Sequence, residues 1–344
     1  MYLIEPIRNG KYIKDGAYAM ALQAYALTHL KLERTAIFPY ICDAHIQIGY
    51  FQNPEVEVNF PYLKEHNIPI VRRRTGGGAI YIDDKSVNIC WLYPFNSENN
   101  KNIFGNYQKF YEPIVEILKE LGVKNLVYSG KNDLHINGKK VSGAAMMLQD
   151  DYIYGGYSLL WNLDFEAIGE VLRPSKAKIK SKSIESVRQR VDYISQYVDD
   201  KYKNLSSQEF KKLVLDKLSK YHEEKIEIYE LSEQDWKNID ELVEKRYKNW
   251  DWTFGLSPRY EFNREARFDI GTFGISLKVD QGKIQACKIS GDFFAKENLQ
   301  IIEKALLQKR LIKEELMDAL KDIDFQNFFF KPIDPEKIVD LILS

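Results

Sequence analysis

The segment Val71-Arg72-Arg73-Arg74-Thr75-Gly76-Gly77-Gly78-Ala79-Ile80-Tyr81-Ile82-Asp83 sets three consecutive glycines beside three arginines, between two runs that read as strands. Glycine lets a backbone pass close to a ligand and adopt positive φ without a Cβ clash. Three in a row carry a conformational-entropy cost that a plain hairpin does not need. With cationic side chains alongside, the expected guest is an anion such as a nucleotide phosphate or an acyl phosphate. A glycine run also suits a sharp turn, so the decision rests on a second motif.

That motif is Ser129-Gly130-Lys131-Asn132-Asp133-Leu134-His135-Ile136-Asn137-Gly138-Lys139-Lys140-Val141-Ser142-Gly143-Ala144-Ala145. It reads as a short strand, an Asn-Gly hairpin turn and a return strand that carries two lysines. Small residues follow the lysines at once, so the return strand is expected to present an open surface on which a ligand can lie. Adjacent lysines in a strand point to opposite faces, so at most one enters a site on a given side. Periodicity leaves open which one.

Arg73 through Asp83 resembles the arginine, triple-glycine, hydrophobic-aromatic, aspartate signature of lipoate-protein ligases, and Asn132-Asp133 with Gly138-Lys139-Lys140-Val141-Ser142-Gly143 resembles the second signature of that family. Three further pieces agree in order and spacing: Ile48-Gly49-Tyr50-Phe51-Gln52-Asn53-Pro54, Ser186-Val187-Arg188-Gln189-Arg190-Val191 and Trp250-Asp251-Trp252-Thr253-Phe254-Gly255. The resemblance covers nearly the whole chain. It implies an α+β fold of the biotin/lipoate ligase type, with a mixed, largely antiparallel sheet and a small α+β C-terminal domain. The implied division is a catalytic domain over 1–255, a linker over 256–263 and an accessory domain over 264–344, with a hinge around Leu256–Tyr260.

The activity that the resemblance implies is ATP-dependent: lipoate becomes lipoyl-AMP with release of pyrophosphate, and the lipoyl group then passes to a lysine of a carrier domain. Both steps develop negative charge, which a fixed lysine between carboxylate and α-phosphate would stabilise. By family match that lysine is Lys140. Arg73 matches the nucleotide contact, and Gly76, Gly77, Gly78, Ala79, Ile80 and Tyr81 match the main chain along the adenylate. Asn132 and Asp133 suit ribose, phosphate or Mg²⁺ contacts, with Asp133 the implied metal ligand. Ser142 and Gly143, in the lysine signature, are expected to contact substrate or nucleotide, while Arg188, with Arg190, is expected to close over the adenylate. The implied partners are lipoate-accepting carriers, either 2-oxoacid dehydrogenase acyltransferase subunits or glycine cleavage carrier proteins.

Four positions depart from the family pattern. Tyr50 stands where an arginine commonly follows Ile-Gly, Arg74 replaces a small residue, Ile82 replaces a histidine before Asp83, and Gly155-Gly156-Tyr157 occupies the place of a His-His-Gly run. None of them replaces Lys140 or Arg73. The nearest alternative is a lipoyl or octanoyl transferase of the same fold, which needs a cysteine nucleophile near the signature lysine. No cysteine occurs between Trp91 and Ala286, and Cys90 sits in an apolar strand where an inert thiol is expected. A non-catalytic carrier-docking module is a further alternative, against which Lys140 and Arg73 both argue.

The composition agrees. The chain has 344 residues, 44% of them hydrophobic, enough for two globular domains. With 49 basic and 50 acidic residues the net charge is −1, so no global field attracts nucleic acid or an anionic membrane surface. Cys42, Cys90 and Cys287 are widely spaced, which fits a reducing cytoplasm better than a disulfide framework. No run reaches the roughly 20 apolar residues that a membrane span requires. The five histidines show no metal-ligand spacing, and nothing demands more than a monomer.

Strands are expected at Ala36–Ile41, Ile46–Phe51, Ile68–Arg74, Ala79–Ile82, Val87–Tyr93, Leu126–Tyr128, Asp133–Ile136, Lys140–Leu148 and Tyr152–Trp161. Helices are expected from Gly16 to about Leu32 and from Ile103 to Leu121, the latter interrupted by Pro113. The region from Asp164 to Lys248 reads as mainly helical, with one strand at Lys225–Tyr229. Beyond it, Arg267–Val279 and Lys283–Ile289 read as a hairpin turning at Asp280-Gln281-Gly282, followed by helices over Leu299–Gln308 and Lys313–Lys321. The phenylalanines at 325, 328, 329 and 330 are expected to pack in a core or at an edge.

Overall fold

The computed structural model describes residues 1–95, 98–129, 131–172, 188–256, 262–280 and 283–343. The linker residues from Ser257, the start of the Ser186-Val187-Arg188 motif, Gly130 and the Gln281-Gly282 turn lie outside them. The chain divides into two compact units. One comprises Met1–Gln47, Val58–Val71 and Ile80–Asn249; the other comprises Ile48–Glu57, Arg72–Ala79 and Trp250–Ser344.

The first unit is built on an eight-stranded mixed sheet. Its spatial order is Glu227–Ile228, Tyr2–Leu3, Ala36–Tyr40, Val87–Pro94, Tyr152–Leu159, Lys139–Gln149, Asp133–Ile136 and Leu126–Tyr128. The first two pairings are parallel and the others antiparallel. The central Val87–Pro94 strand is buried at all eight positions, as expected of a strand covered on both faces.

One cover is the helix Tyr107–Glu120. Its buried Phe110, Tyr111, Ile114, Ile117 and Leu118 repeat at helical spacing, and Asn106 caps it by accepting from the Lys109 N–H at 3.0 Å. The helix runs unbroken through Pro113, against the interruption expected at that residue. An interior proline costs about 3 kcal/mol. Burial of this apolar face, at about 1.5–3 kcal/mol per large side chain, exceeds that cost. The helix Ser207–Tyr221 starts at a Ser206/Glu209 capping box and stacks Phe210 on Trp161, ring centroids 3.9 Å apart. The helix Gly16–His29 is buried through most of its circumference, which explains the absence of an exposed polar face in its sequence.

The second unit holds a three-stranded antiparallel sheet, Phe262–Phe268, Gly271–Asp280 and Lys283–Gly291. The single strand expected over Arg267–Val279 is two strands, because the chain turns before Gly271, whose φ of 134° is accessible to glycine. Helices Gln300–Ala305 and Lys313–Leu320 are joined by Phe325–Phe328 and Pro335–Leu343, which sequence periodicity missed. Phe273, Phe293 and Phe329 form the centre of this core, with Phe293 and Phe329 rings 5.4 Å apart, edge to face. Phe325 and Phe328 are buried there as well. Among the described residues no helix is long and apolar enough to cross a membrane.

Candidate active site

In the first unit the Asn-Gly turn forms as the sequence indicates. Asn137 and Gly138 both take positive φ, 51° and 81°, as a tight hairpin turn requires. The strands then pair Ile136 with Lys139 and His135 with Lys140, but Leu134 pairs with Ser142. Val141 is therefore the extra residue of a β-bulge. The bulge changes which side chains share a face. Residues 140 and 143 would stand on opposite faces of a regular strand, yet here Gly143 lies directly beside the Lys140 head group. A Cβ added to Gly143 would come 2.7 Å from Lys140 Nζ and 2.9 Å from its Cε. The glycine is needed for that close approach.

Across the hairpin, Lys140 Nζ forms an ion pair with Asp133 Oδ1 at 2.9 Å, with the two side chains 34% and 24% exposed. Lys139 points away and pairs instead with the buried Asp192 at 3.3 Å. Of the two lysines, Lys140 is therefore the one that accompanies Asp133. Asp192 also accepts from the Tyr197 hydroxyl at 2.7 Å, and its own N–H donates to the Lys140 carbonyl at 2.9 Å. Val191 bridges Lys140 in parallel, so the end of the Arg188–Val191 motif runs beside the lysine main chain. The Arg188 guanidinium lies 5.2 Å from the Phe165 ring centroid, in cation–π contact.

Asn132 and Ser142 belong to the frame beneath the lysine. The Asn132 side-chain amide donates to the Ala144 carbonyl at 2.7 Å, and the Ala144 N–H donates to the Asn132 carbonyl at 2.8 Å. Ser142 is fully buried, its hydroxyl 3.1 Å from that of Tyr111. The small-residue run is thus only half open: Ser142 and Ala144 are buried, while Gly143 and Ala145 are partly exposed. The Gly155-Gly156 departure has a packing reason. A Cβ on Gly156 would lie 2.3 Å from Cys90 Sγ, and one on Gly155 would lie 2.9 Å from the Met146 Cβ. Cys90 therefore fills the space over Gly156. The thiols of Cys42 and Cys287 are pushed up by burial, Cys287 to about 12.

The glycine run belongs to the second unit. The Arg73 guanidinium donates at 2.8 Å to both the Gly76 and the Gly78 carbonyls, and at 3.2 Å to the Thr75 hydroxyl, curling the loop around itself. Gly77 takes a φ of 92°, and its N–H donates to the Phe293 carbonyl at 3.3 Å. A Cβ on Gly76 would lie 2.4 Å from that carbonyl oxygen, and one on Gly77 would lie 3.0 Å from the Phe294 ring. Residues 293–294 of the C-terminal module thus lie directly against the glycines. Arg72, next to Arg73 in sequence, is fully buried and turned onto protein carbonyls, so it is not one of the cationic side chains that an anion beside the glycines could meet.

Ile80 and Tyr81 continue into the Ile80–Ile82 strand of the first unit, which pairs with His45–Gln47. Burial pushes the Tyr81 hydroxyl well above the ordinary tyrosine value and raises the Asp83 carboxyl. Lys140, Asn132, Asp133, Ser142 and Gly143 are thus assembled in one unit, and Arg73, Gly76, Gly77, Gly78 and Ala79 in the other. Among the described residues no three His, Cys, Asp or Glu side chains are grouped as a metal site.

The lysine head group at the partly exposed hairpin surface and the Arg73 guanidinium in the glycine loop are fixed cations of the kind that stabilise developing negative charge. Comparison with known proteins agrees. Residues 15–219 match the family described as Lipoyl protein ligase A/B catalytic domain, and residues 257–342 match Bacterial lipoate protein ligase C-terminus. Lipoate--protein ligase 2 of Staphylococcus aureus (strain Mu50 / ATCC 700699) is 46% identical over 345 residues, covering 100% of both chains. The P. falciparum LipL1 structure in complex with lipoate has a TM-score of 0.74 at 20% identity, covering 100% of this chain and 98% of that one. Lipoate-protein ligase A bound with ATP has a TM-score of 0.61 at 21% identity, with 74% and 99% covered. These two structural likenesses establish the fold. By its family matches and its full-length relative, the chain belongs to the lipoate-protein ligase family.

Proposed function

We propose that this chain joins lipoate to ATP, releasing pyrophosphate, and passes the lipoyl group of the resulting adenylate to a carrier lysine, with Lys140 as the central catalytic group. A lipoate carboxylate oxygen attacks the α-phosphorus, and the bond to pyrophosphate breaks. The carrier amine then attacks the carbonyl carbon, and AMP leaves. Both steps place negative charge where a fixed ammonium stabilises it. The observation that carries the assignment is the bulged hairpin, which aligns Lys140 with Asp133 and clears the surface at Gly143.

In this reading Arg73 and the main chain of Gly76, Gly77, Gly78, Ala79, Ile80 and Tyr81 hold the nucleotide. Arg73 then exchanges its loop carbonyls for phosphate oxygens, and Gly77 releases the Phe293 carbonyl. Asn132 supports the Lys140 strand through Ala144, while Arg188 and Arg190 close over the adenylate. Mg²⁺ fits as an ion brought in on the nucleotide phosphates, because such ions commonly keep several waters and take one or two carboxylates. Asp133, which here pairs with Lys140, would supply one such carboxylate.

The functional division follows a catalytic domain over 1–255, a linker over 256–263 and an accessory domain over 264–344, with the protein acting as a cytoplasmic monomer. Acceptors are lipoyl carriers, 2-oxoacid dehydrogenase acyltransferase subunits or glycine cleavage carrier proteins. The test is incubation with ATP, Mg²⁺, lipoate and each carrier, followed by pyrophosphate release and carrier mass. Adduct formation that requires ATP supports the reading. Transfer from an acyl-carrier donor without ATP supports the transferase instead.

A further inference from the structure

Arg72 stands next to the nucleotide-contact arginine in sequence, but its side chain serves a different purpose. It is fully buried, and its guanidinium donates to five main-chain carbonyls: Gly49 at 3.1 Å, Tyr50 at 2.7 Å, Gln52 at 2.7 Å, Trp252 at 3.0 Å and Thr253 at 2.6 Å. The Trp252 indole N–H returns a bond to the Arg72 carbonyl at 2.9 Å. Two separate segments, 49–52 and 252–253, are thereby fastened to one planar cation. An arginine suits that task because its donors project in a fixed fork, whereas a lysine offers a compact point charge.

The fastened turn lies directly under the glycines. A Cβ on Gly49 would fall 2.0 Å from the Gly77 carbonyl oxygen, so the two main chains touch with no side chain between them. Tyr50 N–H donates to the Thr75 carbonyl at 2.9 Å, and Arg73 N–H donates to the Ile48 carbonyl at 3.0 Å. The turn is closed internally by Gln52, whose side chain accepts from the Gly49 N–H at 2.9 Å. The Tyr50 and Trp252 rings, one from each fastened segment, meet at 5.6 Å.

We infer that Arg72 is a positioning residue for ATP binding: by holding the 49–52 turn against the 252–253 segment, it fixes the platform on which Gly77 and Arg73 present themselves to the nucleotide. This rests on the assignment of the glycine loop to the nucleotide. Burial lowers the Arg72 pKa to about 10, which leaves the side chain charged at neutral pH and able to hold all five carbonyls. The residue touches no reacting atom. Its effect reaches ATP through the shape of the loop, so the loss of Arg72 acts on nucleotide affinity before it acts on the chemical step.

The test is the steady-state kinetics of Arg72→Lys, with Trp252→Phe as a milder second variant that keeps the ring and deletes the indole N–H. Arg72→Lys is expected to raise the KM for ATP by about tenfold or more, as for the loss of a buried hydrogen bond to a charged group. Turnover at saturating ATP and the KM for lipoate stay near wild type. Trp252→Phe shifts the KM for ATP in the same direction by less. A role confined to stability would lower the active fraction, and with it turnover, while leaving the KM for ATP unchanged. That outcome in both variants overturns the inference. If Arg72→Lys does not fold, Trp252→Phe decides on the same criterion. Arg73→Ala is the control. If it raises the KM for ATP while the other two do not, only the platform role fails; if it also leaves the KM unchanged, the nucleotide assignment of the loop fails with it.

Discussion

Gly143 and Lys140 are in such close approach that a single added methyl at residue 143 would lie 2.7 Å from the lysine Nζ, inside the contact distance of any real side chain. The bulge at Val141 creates that proximity, and Asp133 fixes the lysine from the other strand at 2.9 Å. Gly143→Ala must push the flexible lysine head aside while leaving the hairpin intact. A displacement of about 1 Å at a catalytic group costs on the order of 100-fold. Pyrophosphate release by this variant should therefore drop by about that factor with little change in melting temperature; wild-type turnover would show that the lysine position is not critical.

Asp133→Asn separates the two roles of the ion pair. Both partners are partly exposed, so the pair is worth under about 1 kcal/mol to stability. Denaturant unfolding should therefore change little. Adenylation should slow by about tenfold or more as the lysine loses its orientation. A large stability loss with unaltered adenylation would assign the pair to folding alone.

Gly156 and Cys90 form a complementary couple, since a Cβ on Gly156 would meet Cys90 Sγ at 2.3 Å. Overpacking of this kind costs about 1–3 kcal/mol. Gly156→Ala should destabilise the protein by that amount, and adding Cys90→Ala should recover much of the loss. Strict additivity in the double-mutant cycle would contradict direct contact between the two sites.

His45 supplies a pH dependence. It is fully buried beside Gly16, with its ring nitrogens at the Asp43 carbonyl and the Gln47 amide. Burial lowers its pKa below the ordinary 6.5, despite the opposing pull of the Asp43 carbonyl and of the Asp15 and Asp43 charges. The unfolded chain therefore binds a proton near pH 6.5 that the folded chain refuses. Stability from this group is complete above that value and declines as the pH falls below it, by at most about 1.4 kcal/mol per pH unit. His222, also lowered by burial, adds a contribution of the same sign. His45→Gln should be less stable at neutral pH but lose stability less steeply on acidification. Urea titrations between about pH 7 and pH 5 measure this, and identical slopes would contradict it.

The hairpin was legible from Asn137-Gly138 and the flanking strand patterns because those signals are local. The bulge was not, since a single extra residue leaves no periodic mark in a run as small as Val141-Ser142-Gly143-Ala144. Sequence therefore identified Lys140 only by resemblance, whereas the structure separates it from Lys139 by their different acidic partners. The helix through Pro113 was misread because local backbone chemistry was weighed without the tertiary burial of Phe110, Tyr111 and Ile114. The role of Arg72 was not legible for a related reason. An arginine beside glycines signals an anion, but only the fold reveals the five carbonyls gathered by residues far away in sequence.

The central assignment is tested most directly by ATP–pyrophosphate exchange with lipoate in Lys140→Ala, run beside Lys139→Ala. Exchange should fall about 100–1,000-fold in the first and stay near wild type in the second, as expected when a preorganised charge is removed from one site only. Normal exchange in Lys140→Ala, or equal losses in both variants, would contradict the account.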